Sequence, residues 1–294
     1  MARTGSRSYG RAAVVSTEPE GVAVSDEPSV SIGIPYVDGG TSAQVLDVYG
    51  RTVSPAEDAA RPAVVLVHGG GWFRGDKSKE RALATMLVDA GYLVFAADYR
   101  EAPDSIFPAS RDDVLAAERW AVSSEWAFDR SGLAFFGGSA GGNLVVEAAI
   151  ATGRPAVSWS GMFDRLGIVE ATDGLPATPT TQDLDAMKSA DINQTGRNDA
   201  FLRWTILNEV GGDRGLLAAA STSRHASPDG GPVFLANSLD EFVPVSDAQA
   251  ALSAVGVAST LQLIPGTRHA EGYTEAPLGP SLAFLRDALP AARA

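Results

Sequence analysis

Short apolar runs alternate along this chain with segments whose apolar residues recur at helical spacing. The run Ala-Val-Val-Leu-Val at 63–67 is aliphatic throughout, which predicts a strand buried on both faces, as in a parallel sheet. Seven further short runs, bounded by Gly, Pro, Asn or Asp, are also predicted to be strands. The eight predicted strands are 29–36, 43–49, 63–67, 92–97, 133–136, 155–159, 232–236 and 260–264.

Helical periodicity separates most of these strands. In one such segment Leu83, Met86 and Leu87 share a face, and Gly91 marks the end of the helix. Strands that alternate with helices predict an α/β fold, with a mainly parallel eight-stranded sheet covered by helices on both faces. The predicted helices are 77–90, 112–126, 140–151, 247–255 and 280–292, and 50–61 is predicted to be a loop.

Two segments depart from this alternation. Residues 1–28 are polar and lack a core-forming pattern, so we expect a flexible N-terminal arm ahead of one domain over 29–294. Residues 161–231 are far more than a strand-to-helix connection needs, and we predict a helical cap insertion over the end of the sheet. Within it, 183–187 and 201–207 are predicted to be helical.

Composition narrows the functions that this fold can carry. Among 294 residues, 36 acidic and 23 basic side chains give a formal net charge of −13, the wrong sign for a nucleic-acid partner. The absence of cysteine excludes a disulfide framework, a thiolate metal site and a cysteine nucleophile. The longest apolar runs fall far short of the ~20 residues that cross a bilayer. We therefore expect a cytoplasmic protein without membrane or nucleic-acid partners.

The strongest chemical signal is the segment Gly137-Gly138-Ser139-Ala140-Gly141. A G-x-S-x-G pattern directly between a strand and a helix is that of a nucleophile elbow, whose sharp turn leaves no room for flanking side chains. The alternative is a glycine-rich turn that binds phosphate or only lets the helix pack close to the strand. The pattern therefore predicts that Ser139 is a nucleophile.

A second motif favours the nucleophilic interpretation. The strand 63–67 runs into His68-Gly69-Gly70-Gly71-Trp72, and glycines at this place leave backbone N–H groups open toward a developing oxyanion. A merely flexible loop would explain the glycines but not their position upstream of a serine elbow. Trp72 is equally compatible with lining a pocket and with packing under the loop.

A serine nucleophile needs a base, and the chain has three histidines. His68 belongs to the glycine loop and is expected to be structural. In an α/β sheet of this kind the chain order is Ser, acid, His, which favours His269, just beyond the strand 260–264, over His225. The acid is expected after the strand 232–236, where Asp240 and Glu241 both qualify chemically.

These motifs resemble those of α/β-hydrolases of the carboxylesterase group that contains hormone-sensitive-lipase-like and acetyl-xylan or feruloyl-esterase-like bacterial enzymes. The blocks that carry the resemblance are His68 to Trp72, Asp98 to Asp113, Gly137 to Leu144, and Asp240 to His269. The resemblance implies Ser139 as nucleophile, His269 as base and Asp240 as acid, because the family's acid stands three residues before the Val of a Val-Pro pair. It also implies an oxyanion hole made by the amides of Gly70, Gly71 and Ala140.

The chain also departs from the family pattern. Many relatives have an acidic residue immediately before the nucleophile, where this chain has Gly138.

Asp98, Arg100 and Asp113 are expected to form a buried ion-pair scaffold near the sheet. Three apolar residues of the insertion recur at helical spacing: Phe201, Trp204 and Leu207. This spacing favours a role in core packing over a role in lining a pocket.

Together these features predict a serine carboxylic-ester hydrolase that acts on small soluble esters through an acyl-enzyme and needs no cofactor. The same residues would also suit an acyltransferase, a cyclase or an amide or formamide hydrolase. A catalytically silent ligand-binding protein is the alternative from a different class, although it would not need a nucleophile, a base and oxyanion donors together.

Overall fold

The structure is a computed structural model that describes residues 28–178, 198–244 and 247–289. Its centre is one eight-stranded sheet with the strand order β1-β2-β4-β3-β5-β6-β7-β8. The strands are β1 Ser29–Pro35, β2 Val45–Gly50, β3 Ala63–Val67, β4 Leu93–Ala97, β5 Leu133–Gly138, β6 Ala156–Trp159, β7 Val233–Ser238 and β8 Ser259–Ile264. Each of the eight predicted strands is therefore present.

The sheet is mainly parallel, as predicted. Strands β1 and β2 are antiparallel to their neighbours, and all pairs from β4 across to β8 are parallel. In β3 alternate residues enter different cores: Val65 and Val67 pack on one face, Val64 and Leu66 on the other. A strand buried on both faces must be apolar at every position, which explains its unbroken aliphatic sequence.

Nine helices are described. They are α1 Pro55–Ala60, α2 Arg81–Asp89, α3 Ala109–Ser123, α4 Ala140–Thr152, α5 Arg165–Ala171, α6 Asp199–Glu209, α7 Leu217–Ala220, α8 Ala248–Ala254 and α9 Leu278–Ala288. Residues of α3, α4 and α8 join the core on one face of the sheet, and residues of α2 and α9 join the core on the other. The prediction of helices on both faces is confirmed. None of the described helices is both long and apolar enough to cross a membrane.

Helix α1 corrects the prediction of a loop over 50–61. Ser54 caps its N-terminus by accepting from the Glu57 N–H, and the Glu57 carboxylate accepts in return from the Ser54 N–H at 3.0 Å. This reciprocal arrangement is a capping box, and Pro55 at the first helical position is compatible with it. The signal was present in the sequence as Ser-Pro-Ala-Glu.

The cap insertion lies between β6 and β7 and contributes α5, α6 and α7. Its predicted helix at 201–207 is the central part of α6. The predicted helix at 183–187 and the predicted arm, apart from residue 28, lie outside the described residues.

Arg165, at the start of α5, fastens the cap to the rest of the fold and is only 1% exposed. Its guanidinium pairs with Glu209 of α6 at 3.2 Å, donates to the Asn143 side chain of α4, and lies 4.3 Å from the Trp72 ring centroid. Trp72 is therefore buried beneath its loop, which decides between the two roles considered for it. Breaking one member of such a network leaves a buried charge uncompensated.

The expected ion-pair scaffold forms in part. Arg100 donates twice to buried Asp113, through Nε and Nη2, both at 2.8 Å. Asp98 instead pairs with Lys77 at 2.8 Å. The two aspartates therefore belong to separate pairs, because Asp98 directly follows β4 while Asp113 approaches from α3.

We expect Gly141→Ala to destabilise the protein strongly, because α4 lies directly against the end of β3. A Cβ at Gly141 would lie 2.6 Å from the His68 carbonyl oxygen and closer still to that of Val67. The expected loss is about 1–3 kcal/mol or more in the free energy of unfolding, measured by urea denaturation. Gly279→Ala in α9 is the matched control, since no atom lies within 4 Å of its added Cβ. Equal stability of the two variants would contradict this account.

Candidate active site

Ser139 lies at the turn between β5 and α4. Its backbone has φ 55° and ψ −119°, a region that non-glycine residues rarely adopt and that stores strain. Two hydrogen bonds hold the turn: the Ser139 N–H donates to the Trp159 carbonyl at 2.8 Å, and the Ser139 carbonyl accepts from the Asn143 N–H at 3.1 Å. Ser139 therefore has the geometry of a nucleophile elbow at the carboxyl end of the parallel strands.

Glycine is required on both sides of Ser139 because backbone and side-chain atoms of other segments come too close for a Cβ. A Cβ at Gly137 would lie 2.6 Å from the carbonyl group of Gly141. A Cβ at Gly142 would lie 2.7 Å from the Ser158 hydroxyl oxygen. These contacts are shorter than non-bonded atoms tolerate, so the glycines of the motif serve the packing of the elbow.

The glycine loop after β3 lies against the elbow. Gly70 and Gly71 have φ values of 133° and 62°, in the region that favours glycine. A Cβ at Gly69 would lie 3.2 Å from the Ser139 Cβ, so loop and nucleophile are in contact. In the part of the chain that the structure describes, no backbone hydrogen bond uses the amide of Gly70, Gly71 or Ala140 as donor. These three amides remain the predicted oxyanion donors.

The buried side chain of His68 packs against this loop. Its Nδ1 lies 2.8 Å from the Gly69 carbonyl oxygen, and its ring stacks on Tyr99 with the centroids 4.3 Å apart. Burial lowers the pKa of His68, which favours the neutral ring. These contacts agree with the structural role expected for it.

His269 follows β8 and contacts a buried carboxylate. Its Nδ1 lies 2.5 Å from Oε2 of Glu241, which is 3% exposed. The other carboxylate oxygen, Oε1, accepts from the Ser238 N–H at 2.8 Å, the Ser160 hydroxyl at 2.9 Å and the Asn237 amide at 3.2 Å. A carboxylate held by three donors has a fixed orientation, and it can fix the tautomer of the imidazole.

The expected pairing of Asp240 with His269 is corrected by this contact. The Asp240 N–H donates to the Gly266 carbonyl at 3.0 Å, which extends the pairing of β7 with β8, and its side chain is exposed. The next residue, Glu241, turns into the protein and reaches His269. Both residues have the required chemistry, so only the local backbone path distinguishes them.

Ser160 is a site residue that the sequence interpretation missed. Directly after β6, its Oγ joins the acid to the loop of the base: it donates to Glu241 and accepts from the Ala270 N–H, both at 2.9 Å. The Tyr273 hydroxyl lies 2.5 Å from the same oxygen. Its position at the carboxyl end of a strand was the one available signal.

Aromatic side chains connect the cap to the base. The Phe242 ring lies 4.4 Å from that of His269, and Phe201 of α6 lies 6.4 Å from Phe242, measured between centroids. Trp204 packs against Phe201 and, at 4.8 Å, against Phe73 of the glycine loop. The face of α6 that was expected to be core therefore also covers the site.

His225 lies elsewhere in the cap. Its Nε2 is 3.0 Å from Oε2 of Glu147 on α4, and this hydrogen bond raises the pKa of His225. Among the contacts of the described residues, none joins His225 to Ser139 or Glu241. Its exclusion as the base remains a prediction that this geometry supports.

A cavity of about 390 Å³ opens beside the loop that carries Glu241. Its walls come from the segments after β6 and β7 and from α5, and they are apolar except for two carboxylates. The lining residues are Met162, Phe163, Asp164, Gly167, Ile168, Ala171, Val243, Pro244 and Asp247. Its volume is in the range of small-molecule pockets.

Fold and site together define an α/β-hydrolase with a serine elbow, a histidine–carboxylate pair and a glycine loop next to the nucleophile. The chain belongs to the BD-FAE family, whose model matches residues 46–254. This membership confirms the resemblance to α/β-hydrolase carboxylesterases that the motifs indicated.

Individual relatives agree with this class. The chain is 31% identical over 223 residues to Carboxylesterase NlhH of Mycobacterium tuberculosis. The aligned residues cover 72% of this chain and 66% of that protein. It is 39% identical over 105 residues to Ethyl acetate hydrolase of Pseudomonas putida, which covers 34% of this chain and 33% of that protein. The chain thus spans no more than about two thirds of the length of these curated relatives.

Solved structures share the fold at lower identity. A truncated carbohydrate esterase from gut microbiota has a TM-score of 0.67 at 17% identity, covering 88% of this chain and 95% of its own. A hormone-sensitive lipase from a metagenome library has a TM-score of 0.65 at 20% identity, covering 90% and 87%. At these identities the likeness establishes the fold alone.

The contact at His269 predicts opposite outcomes for the two neighbouring acids. Glu241→Gln should lower kcat for p-nitrophenyl acetate by about 10³–10⁴-fold, since an amide cannot stabilise the imidazolium. Asp240→Asn, the matched control, should leave kcat within about threefold, as expected for an exposed side chain. A large loss with Asp240→Asn and none with Glu241→Gln would return the acid to position 240.

Proposed function

We propose that the protein is a serine carboxylic-ester hydrolase with Ser139 as nucleophile, His269 as base and Glu241 as orienting acid. The observation that carries this proposal is the 2.5 Å contact between His269 Nδ1 and the buried Glu241 carboxylate, at the edge of the sheet that also presents the Ser139 elbow. A histidine oriented by a buried acid next to a strained serine is the arrangement that nucleophilic acyl transfer needs.

In the first half of the reaction, Ser139 Oγ attacks the ester carbonyl as His269 Nε2 takes its proton. The negative charge that develops on the carbonyl oxygen is stabilised by the amides of Gly70, Gly71 and Ala140. Collapse of this intermediate breaks the carbon–oxygen bond, and the imidazolium gives its proton to the departing alcohol. The product is an acyl group on Ser139.

Water completes the cycle by the same route. His269 removes a proton from the attacking water, a second tetrahedral intermediate forms, and Ser139 Oγ leaves as the proton returns to it. The carboxylic acid is released. Throughout, Glu241 stabilises the charged imidazole without accepting its proton, and the donors on Oε1 keep the carboxylate in place.

Small, soluble esters are the proposed substrate class. The cavity of about 390 Å³ beside the loop that carries Glu241 has mostly apolar walls, and its volume is in the range that binds small molecules. The net charge of −13 disfavours anionic lipid surfaces and nucleic acid, which supports a cytoplasmic enzyme that acts on dissolved substrate.

Ser139→Ala should abolish hydrolysis and labelling by a fluorophosphonate while leaving the fold intact, because alanine adds no bulk to the elbow and removes the nucleophile. Ser253→Ala, an exposed serine on α8, is the matched control and should keep full activity. Activity of Ser139→Ala within about tenfold of the wild type would refute the assignment. Ligand binding by a wild-type protein that resists labelling would point to a catalytically silent receptor.

Acyl-chain length tests the substrate class. Among p-nitrophenyl esters we expect the highest kcat/KM for acyl groups of about two to six carbons, because a cavity of this size holds a short chain in contact with its walls. The measurement is a series of esters from acetate to palmitate, followed by a triglyceride emulsion above and below its solubility limit. A maximum at long chains, or a rise in rate when the emulsion forms, would instead show that the cap acts as a lipase lid.

A further inference from the structure

The carboxylate of Glu271 occupies the space in which a side chain of Gly138 would lie. A Cβ built on Gly138 would be 3.1 Å from Cδ of Glu271 and inside van der Waals contact with Oε1. Gly138 immediately precedes the nucleophile, and Glu271 stands two residues after His269. One side chain therefore connects the loop of the base to the backbone next to Ser139.

A second acid, Glu80, is buried near the glycine loop. Glu80, at the end of the short helical turn Lys77–Glu80, is 3% exposed and accepts a hydrogen bond from the Gly69 N–H. Gly69 in turn packs on the elbow, since its Cβ would lie 3.1 Å from the Gly138 carbonyl oxygen. Glu80 thus lies against the glycine loop, which itself packs on the elbow that Glu271 contacts.

The two acids act on each other electrostatically. Among the described residues, Glu80 Oε2 and Glu271 Oε1 are buried without a hydrogen-bond partner. Burial raises the pKa of both groups, and the charge of Glu271 raises that of Glu80 further, while Lys79 lowers both and His269 lowers that of Glu271. Two carboxylates that repel each other in a desolvated site are costly when both are ionised, so this repulsion favours the state in which one of them is protonated.

We propose that Glu271, paired with Glu80, is a positioning residue that holds the nucleophile elbow and the glycine loop together by placing a carboxyl group in the side-chain space of Gly138. The inference rests on the proposed function, in which these two segments carry the nucleophile and the oxyanion donors. A small displacement of either would separate the reacting atoms from the groups that stabilise them.

The geometry allows the carboxyl group to be moved from one segment to the other. Glu271→Ala should lower kcat for p-nitrophenyl acetate by about 10²-fold with little change in KM, the expected cost of a misplaced nucleophile. Adding Gly138→Asp to Glu271→Ala should restore most of the lost kcat, because the new carboxyl group enters the vacated space. Gly138→Asp alone should be impaired, since the two side chains collide.

A matched double variant separates charge from volume. Gly138→Ala with Glu271→Ala fills part of the space without a carboxyl group and should not recover kcat. Unchanged kcat in Glu271→Ala, or equal recovery with Ala and with Asp at position 138, would overturn the proposal. If Glu271→Ala does not fold, as judged by its thermal melt, Glu271→Gln replaces it: a folded variant with lowered kcat supports the role, and one with wild-type kcat refutes it.

The wild type and Ser139→Ala are measured in the same assay. Absence of hydrolysis by the wild type would count against the proposed function. Hydrolysis that depends on Ser139 but is unaffected by the substitutions at positions 138 and 271 would count against this inference alone.

Discussion

The close approach of helix α4 to the end of strand β3 is the constraint on which the site depends. Gly141 lies so near the carbonyl groups of Val67 and His68 that no side chain fits between them. Because α4 lies so close to β3, the chain passes from β5 into α4 in a single sharp turn. The residue at that turn is Ser139, which has a strained backbone. The same contact places the glycine loop against the nucleophile. Packing of backbone on backbone thus decides where the reactive groups meet.

Buried polar groups attach the cap and the base to this centre. Arg165 joins α5 to α4 and α6 and covers the Trp72 ring, so the cap, the nucleophile helix and the glycine loop share one buried cation. Ser160 and Glu241 do the same for the base, linking the ends of β6 and β7 to the loop that follows β8. Because each of these groups is desolvated, its partners must stay in place, and the site is held with little freedom.

Because residue 138 is glycine, the carboxyl group next to the elbow comes from another part of the chain. Where many members of the resembled group carry an acid in the chain itself, this protein leaves a space, and the carboxylate of Glu271 enters it from the loop of the base. A carboxyl group is thereby retained near Ser139, but it belongs to a different segment. In the proposed arrangement, the Ser139 elbow, the loop of His269 and the glycine loop are connected through Glu271 and Glu80 in addition to the proposed catalytic residues.

The sequence by itself determined the eight strands, the placement of helices on both faces, the serine elbow and the glycine loop, and it indicated His269 as the proposed base. These features are written in local patterns: apolar runs for buried strands, helical spacing, and glycines where backbone must approach backbone. The capping box of α1 is equally local, since it consists of Ser54 and Glu57.

Tertiary structure alone decided which acid reaches the base. Asp240 and Glu241 are neighbours with the same chemistry, and the pairing of the residue 240 amide with Gly266 turns one side chain to solvent and the other to His269. Ser160, Arg165 and Glu271 have no motif of their own, because their partners lie far away in the chain. Such roles arise from long-range packing, which determines the direction that each side chain faces.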